Sequence, residues 1–292
     1  MIGVKQMIEK QKTSHESRKP VNNGSIRKIF SYRELLFNLT RTELQLRYKN
    51  SVLGFIWSLL NPLLYLVVFS LVFQEILRTS IPMFAIFLLS GLLIWNFFSS
   101  SLNSGTGAII GNASIVKKIW FPREVLPLAS VGASAIHFFL QAFVLVLALL
   151  VFQHEPNWAA LSLLPLALLV IIVLASAGAI TLSALNVYYR DIQHFLEISL
   201  IAWFWLTPIV YNYNLVADRL GNSDWIAMLN PITPVVLTFQ KALHNPPAGY
   251  LPDVSLWQYF QNLGIVLFIG LILLSGSLRL FHRLDSQLAD KI

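Results

Sequence analysis

The chain contains no cysteine and very little charge. Of its 292 residues only 12% are Asp, Glu, Lys or Arg, while 56% are hydrophobic. The missing thiols exclude disulfides and thiolate metal sites, and say little about compartment. The scarcity of charge excludes more. A soluble domain carries about a quarter charged residues to cover its outside, so much of this surface must face lipid. A mean hydropathy of +0.65 agrees. Also absent is any G-x-x-x-x-G-K-[ST] run, which excludes a P-loop cradle for nucleotide phosphates. The six histidines, His15, His137, His154, His194, His244 and His282, form no H-x-x-x-H pair, and none stands near enough carboxylates in sequence to suggest a metal site. His137 alone lies deep in an apolar run, where it suits helix packing or a proton relay. Residues 1–25 hold Lys5, Lys10, Lys12, Arg18 and Lys19 without an apolar stretch, which is not the pattern of a secretory signal. Residues 1–26 read as a disordered cytoplasmic tail, too polar to order themselves by burial.

The charge that is present is unevenly placed. A net charge of +7 and a pI near 9.7 would suit nucleic acid if the cations were spread along the chain, but eleven of the 21 Lys and Arg precede residue 51. Beyond it, the chain falls into long runs free of Asp, Glu, Lys and Arg. A bilayer core about 30 Å thick needs roughly 20 apolar residues of helix. Six runs qualify, with spans expected near 51–74, 81–103, 125–152, 159–187, 198–217 and 255–278. A shorter run, 225–240, within the segment 225–244, is interrupted by Pro231 and Pro234. It is too short to span, and reads as a re-entrant or interfacial pair of half-helices. With the N-terminus inside, the cytoplasmic segments hold the N-terminal cations together with Lys117, Lys118, Arg123, Arg190, Arg279, Arg283 and Lys291. Only Arg78, Arg219 and Lys241 fall outside. Eighteen against three places both termini in the cytoplasm. The expected fold class is therefore an all-α, six-span membrane protein with its transmembrane domain over 51–285. No span carries Asp, Glu, Lys or Arg at its middle, which disfavours coupling to protons or sodium.

Residues 27–50 form a distinct segment. At 100° per residue, Arg27, Glu34, Asn38, Arg41, Gln45 and Lys49 share one face, with Ile29, Tyr32, Leu35, Leu36, Leu39 and Leu46 broadly opposite. Such a helix suits the cytoplasmic interface, with Lys28, Arg33 and Arg47 snorkelling from its flanks; it would equally suit packing on a soluble partner. Two cytoplasmic loops look built for contact. The loop at 112–124 reads N-A-S-I-V-K-K-I-W-F-P-R-E, so cations stand beside Trp120 and Phe121. An exposed Trp-Phe pair flanked by charge has hot-spot composition, and also that of an interfacial aromatic belt. The second loop, N-V-Y-Y-R-D-I at 186–192, is a compact polar turn whose Arg190 and Asp191 also suit helix ends.

Four motifs carry a family likeness. R-Y-K-N-S-V-L-G-F-I-W-S-L-L-N-P-L-L at 47–64, W-F-P-R-E at 120–124, N-x-x-Y-R-D at 186–191 and T-P-I-V-Y at 207–211 resemble, in order and spacing, the ABC-2-type permeases that export polysaccharide: O-antigen, teichoic acid or capsule. The likeness runs from about residue 30 to 285. It implies a bacterial inner-membrane homodimer, with two copies of a separate ABC ATPase and a lipid-linked glycan as cargo. ATP and Mg would sit on the partner, with no cofactor bound by this chain and no enzymatic activity of its own. The resemblance assigns ATPase coupling to Ser114, Lys117, Lys118, Trp120, Phe121, Arg123 and Glu124, with Tyr188, Arg190 and Asp191 as a second contact. It makes residues 27–50 the interfacial helix, including Arg41, Arg47 and Tyr48, and residues 225–244 the re-entrant cover of the exit. Aromatic faces receive the C–H faces of sugars with little demand on hydroxyl pattern. Trp57, Asn61 and Tyr65 recur at i, i+4, i+8, as do Trp203, Thr207 and Tyr211, with Phe204 alongside. These two rows are the expected channel lining; interfacial anchoring and plain packing are the other uses of such residues. Asn61-Pro62 and Thr207-Pro208 are expected bends. Alternative readings are an ABC-2 exporter of a drug or lipid, which would show a closed lipid-facing cleft, and a membrane-embedded polyprenyl-sugar transferase, which would need convergent acids.

Overall fold

The computed structural model describes residues 32–48, 56–76, 81–118, 121–220, 225–247 and 249–291. Residues 1–31, the side chains of Arg47, Tyr48, Trp57 and Asn61, and all of Trp120 lie outside the described residues. Among those described, the regular structure is entirely helical. In chain order the helices are α1 (Arg33–Tyr48), α2 (Ile56–Ser70), α3 (Phe84–Gly111), α4 (Ala113–Lys118), α5 (Val125–Val151), α6 (Trp158–Leu161), α7 (Leu164–Tyr188), α8 (Ile192–Leu206), α9 (Tyr213–Leu220), α10 (Trp225–Met228), α11 (Thr233–Phe239) and α12 (Leu256–Lys291). A wide π-helical turn, Leu71–Ile76, continues α2, and another, Gln240–His244, continues α11.

Four helices, α3, α5, α7 and the Leu256–Asp285 stretch of α12, are long and apolar enough to cross a membrane. Two shorter apolar helices accompany them, at Pro62–Phe73 and Ile192–Leu206. In the most apolar window of α3, 83% of residues are buried, against 28% in α12. So α3 is the interior helix and α12 an outer one. The packing follows from side-chain size. A Cβ at Gly105 of α3 would stand 2.6 Å from the Ala179 Cβ of α7, and one at Gly178 would stand 2.5 Å from a methyl of Leu102. Small residues let the two backbones close up, which in lipid replaces the missing hydrophobic drive between helices. Hydroxyls and amides then pin neighbours together: Ser100 to Ser134 and Asn96 to Gln141 between α3 and α5, Thr181 to Ser277 between α7 and α12.

Three expectations change. The second apolar helix runs to Gly111 rather than ending near residue 103, because no charge intervenes before Lys117 and its last turns are packed against α7. The fifth expected span is not one helix. It stops at Leu206, where Thr207 is extended (φ −103°, ψ 132°), and resumes only at Tyr213. Pro208 has no N–H with which to continue the ladder. On α1, the polar residues Glu34, Asn38, Arg41 and Gln45 fall largely outward, and Tyr32, Leu35 and Leu39 pack on the protein. Leu46 shares their face but is exposed, two turns past the point where the Thr40 hydroxyl meets the Ala129 carbonyl of α5. Gly132 makes that approach possible, since a Cβ there would lie 3.0 Å from the same hydroxyl.

Candidate functional site: a clamp at one end and two aromatic rows

The two loops singled out by sequence converge on the end of α12. Phe121, Val116, Val187 and Phe281 share one small apolar cluster, with Phe281 wholly buried. Around it sits a polar seam. The Arg123 guanidinium donates to the Asp285 carboxylate and to the Asp285 carbonyl, both at 2.8 Å. Glu124, itself buried, lies 3.3 Å from the His282 imidazole. The Tyr188 hydroxyl donates to the Leu284 carbonyl at 2.9 Å, and Lys291 Nζ stands 4.8 Å over the Tyr188 ring. Both loops are thus fastened to the same three turns of helix.

This arrangement divides the expected coupling residues by exposure. Phe121 is buried, with 6% of its surface accessible, and so cannot present the open aromatic pair that the composition suggested. Its burial under α12 makes it the anchor of the loop. Arg123 and Glu124 are committed to the α12 seam. The surface left free is mainly polar: Ser114, Lys117 and Lys118 on α4, beside Ile115, and Tyr189, Arg190 and Asp191 between α7 and α8. Asp191 precedes α8 without a side-chain capping bond, although its charge still suits a helix N-terminus.

The two aromatic rows reach α3 from different sides. Tyr65 of α2 stands among Leu89, Leu92, Leu93 and Asn96, while Trp203 and Phe204 of α8 meet Phe98 and Trp95 edge-on, with centroids 5.2 Å and 5.5 Å apart. On a helix of 3.6 residues per turn those two contact faces lie roughly 140° apart. Within one chain the rows therefore stand on opposite sides of the central helix. Nor are Trp203, Thr207 and Tyr211 one helical face, because the helix ends between the first two. A different device joins them. Asn230 accepts from Trp203 Nε1 (3.0 Å) and from the Ile232 N–H (3.1 Å), and its amide nitrogen donates to Thr207 Oγ1 (2.8 Å). Gln240, wholly buried, donates to the Pro208 carbonyl at 3.2 Å. The backbone groups freed at the break are thereby satisfied from the 225–244 segment, as buried backbone polar groups require. Tyr211 turns back and donates to the Trp205 carbonyl at 2.8 Å.

Two features escaped the sequence reading. Asp285 and His282 lie beyond the last apolar run, and only their chemistry, complementary to Arg123 and Glu124, could have flagged them. The other is a histidine stack at the far end of the molecule. His154 and His244 lie ring on ring, 5.6 Å apart and 15° from parallel. His154 Nε2 meets the His244 carbonyl and His244 Nε2 meets the Pro82 carbonyl, each at 2.6 Å. A carbonyl only accepts, so each Nε2 carries the proton. Burial in the first place, and His154 beside it, lower the His244 pKa to about 4, against the opposing effect of the Pro82 bond.

Long apolar helices packed through small residues, with charge gathered at one end, define a multi-pass membrane protein. Comparison of the sequence identifies its kind: residues 34–244 match the family described as ABC-2 type transporter, and the chain belongs to that family. It is 30% identical over 257 residues to the O-antigen export system permease protein RfbA of Klebsiella pneumoniae, covering 88% of this chain and 94% of that one. It is 31% identical over 267 residues to the protein of the same name from Myxococcus xanthus, covering 91% and 98%. To the polysialic acid transport protein KpsM of Escherichia coli it is 26% identical over 239 residues, covering 79% and 88%.

Proposed function

We propose that this chain is the transmembrane permease subunit of an ABC transporter that exports a lipid-linked polysaccharide, of O-antigen or teichoic-acid type, across the bacterial cytoplasmic membrane. The observation that carries the reading is the run of identity to O-antigen export permeases along nine-tenths of the chain. Two copies of the chain and two of a separate ATPase subunit make the working unit, with ATP and Mg held by the ATPase. Six spans are formed by α2 with its π-helical turn, α3, α5, α7, α8 and α12. The 21 residues at 56–76 reach about 32 Å as helix, enough for the bilayer core. Helix α1 lies at the cytoplasmic interface, and α9 to α11 cover the outer mouth as re-entrant elements. Both termini are cytoplasmic.

The mechanism follows from where force can enter. The ATPase meets the exposed polar surface of Ser114, Lys117, Lys118, Tyr189, Arg190 and Asp191, with Tyr188 fastening the second loop to α12 beneath it. Displacement of that surface is passed through the Arg123–Asp285 and Glu124–His282 seam to α12 and through the small-residue crossing to α3. Trp57, Asn61 and Tyr65 of one copy and Trp203, Phe204, Thr207 and Tyr211 of the other bound the conduit. The aromatic groups supply broad, weak contacts that a sliding glycan can leave.

Lys117→Glu combined with Lys118→Glu tests the coupling surface. Both lysines are exposed, so insertion and folding should persist while the ATPase fails to co-purify and polymer disappears from the cell surface. Unchanged co-purification and export would remove α4 from the coupling role.

A further inference from the structure

The end of the molecule opposite the clamp holds a large open cleft outside the features already described. Helices α9 and α10, the stretch 252–254 and the first turns of α12 enclose a cleft of about 910 Å³, within the ~300–1,000 Å³ range of small-molecule sites. Its polar wall is made of Asn214, Asp253, Gln258, Gln261 and Asn262. No Lys, Arg or His is among the described residues that line it.

That composition selects a ligand class. A primary amide offers two donors on nitrogen and two lone pairs on oxygen, which is what neighbouring hydroxyls of a sugar require. A phosphate or sulfate asks for cations, and Asp253 would repel it. Gln258, Gln261, Asn262 and Ile265 follow one another at helical spacing on a single stripe of α12, so the amides stand in a row along the cleft. Gln258 uses its oxygen to accept from the Ser255 N–H at 3.2 Å, which fixes the start of the row. The ring of Phe268 and the side chain of Ile265 make an apolar floor suited to sugar C–H faces. On the adjoining side of α12, Trp257 and Phe260 stack 5.3 Å apart at 18°, both exposed.

We propose that this cleft, with its row of amides over an apolar floor, is a binding site for a neutral stretch of polysaccharide emerging on the outer side of the membrane. Its placement outside rests on the six-span topology and export reading given above. It would draw the leading end of the chain away from the mouth and hinder return. Weak, exchanging contact serves that purpose, and the described residues of the cleft include no charge pair that would bind a glycan tightly.

The lack of cysteine supplies the test. Ala217→Cys puts a single thiol in the wall of the cleft and leaves every amide in place; Gln261→Cys is the second position should the first disturb assembly. In intact cells carrying the full transporter, the thiol should react with a membrane-impermeant maleimide from outside. In the purified full-length protein in nanodiscs, a neutral mannose oligosaccharide should slow that reaction several-fold, and an oligomer of glycerol phosphate should not. Gln258→Leu combined with Asn262→Leu should abolish the protection. A thiol labelled from outside yet unprotected by the sugar overturns the site while leaving the topology standing. Protection by short-chain phosphatidylcholine alone makes the cleft a lipid pocket and likewise overturns it. A thiol labelled only from inside overturns the topology, and with it the exit-side placement, whatever the purified protein binds.

Discussion

Arg123 illustrates how one side chain can fasten a loop to a distant helix end. It reaches both the carboxylate and the carbonyl of Asp285, and only 15% of its side chain is exposed. Charge-assisted bonds of this kind are worth more than neutral ones, but Asp285 is 45% exposed and water screens the pair. Arg123→Ala should therefore cost about 1–2 kcal/mol, read as a lower melting temperature of the purified protein. Asp285→Asn should cost less, since the carbonyl bond survives. If the seam also transmits force, both variants should hydrolyse more ATP per polymer exported. His244 offers a residue-scale prediction of another kind. Its imidazole stays neutral in the folded protein until about pH 4, whereas the unfolded chain takes up the proton near 6.5. Stability present at neutral pH is thus lost as pH falls from about 6.5 towards 4, by about 3 kcal/mol at most. His244→Gln, which keeps a donor for the Pro82 carbonyl, should flatten the dependence of melting temperature on pH across that window.

At the scale of elements, the α3–α7 crossing separates two glycines that look alike in sequence. A Cβ at Gly178 would meet the end of Leu102, a flexible side chain that can turn aside. A Cβ at Gly105 would meet Ala179 at its Cβ and, at 3.3 Å, its Cα, so a backbone would have to move. Gly105→Ala should cost about 1–3 kcal/mol by overpacking, and Gly178→Ala clearly less; thermal melting of the two variants side by side decides it. The long helices α3, α5, α7 and α12 were legible because unbroken apolar runs leave few other structures possible in lipid. The broken one was not. Thr207-Pro208 signalled a bend, but nothing local showed that Asn230 and Gln240, more than twenty residues away, would receive the loosened chain. Partners so distant in sequence are fixed by packing and leave no periodic trace. The exposure of Phe121 was misjudged for the same reason: its composition suited a surface, and only the return of α12 from 160 residues further on buries it.

For the whole molecule, α12 sets the proportions. Its 36 residues reach about 54 Å, well beyond a bilayer core of about 30 Å. Part of the surplus receives both loops of the clamp, and the opposite end of the helix lines the amide-bearing cleft. One rigid element thus touches both the proposed site of ATPase contact and the proposed site of glycan release. The charge asymmetry legible in sequence marked only the first of these, because the cleft is polar without being charged. Tyr65→Ala, on a face of α2 that is largely exposed in the single chain, should reduce polymer at the surface without loss of insertion, as measured by antibody labelling of intact cells.

The placement of Tyr65 and Trp203 on opposite sides of α3 also has a genetic meaning. In the proposed dimer, a conduit bounded by both rows draws them from different copies of the gene product, so one wall pairs the first row of one copy with the second row of the other. Suppose a Tyr65 variant and a Trp203 variant are each inactive alone. Produced together, they assemble a mixed pair in which both lesions fall on the same wall and the other wall is intact. Two defective alleles would then complement each other, and two lesions placed in a single allele would not.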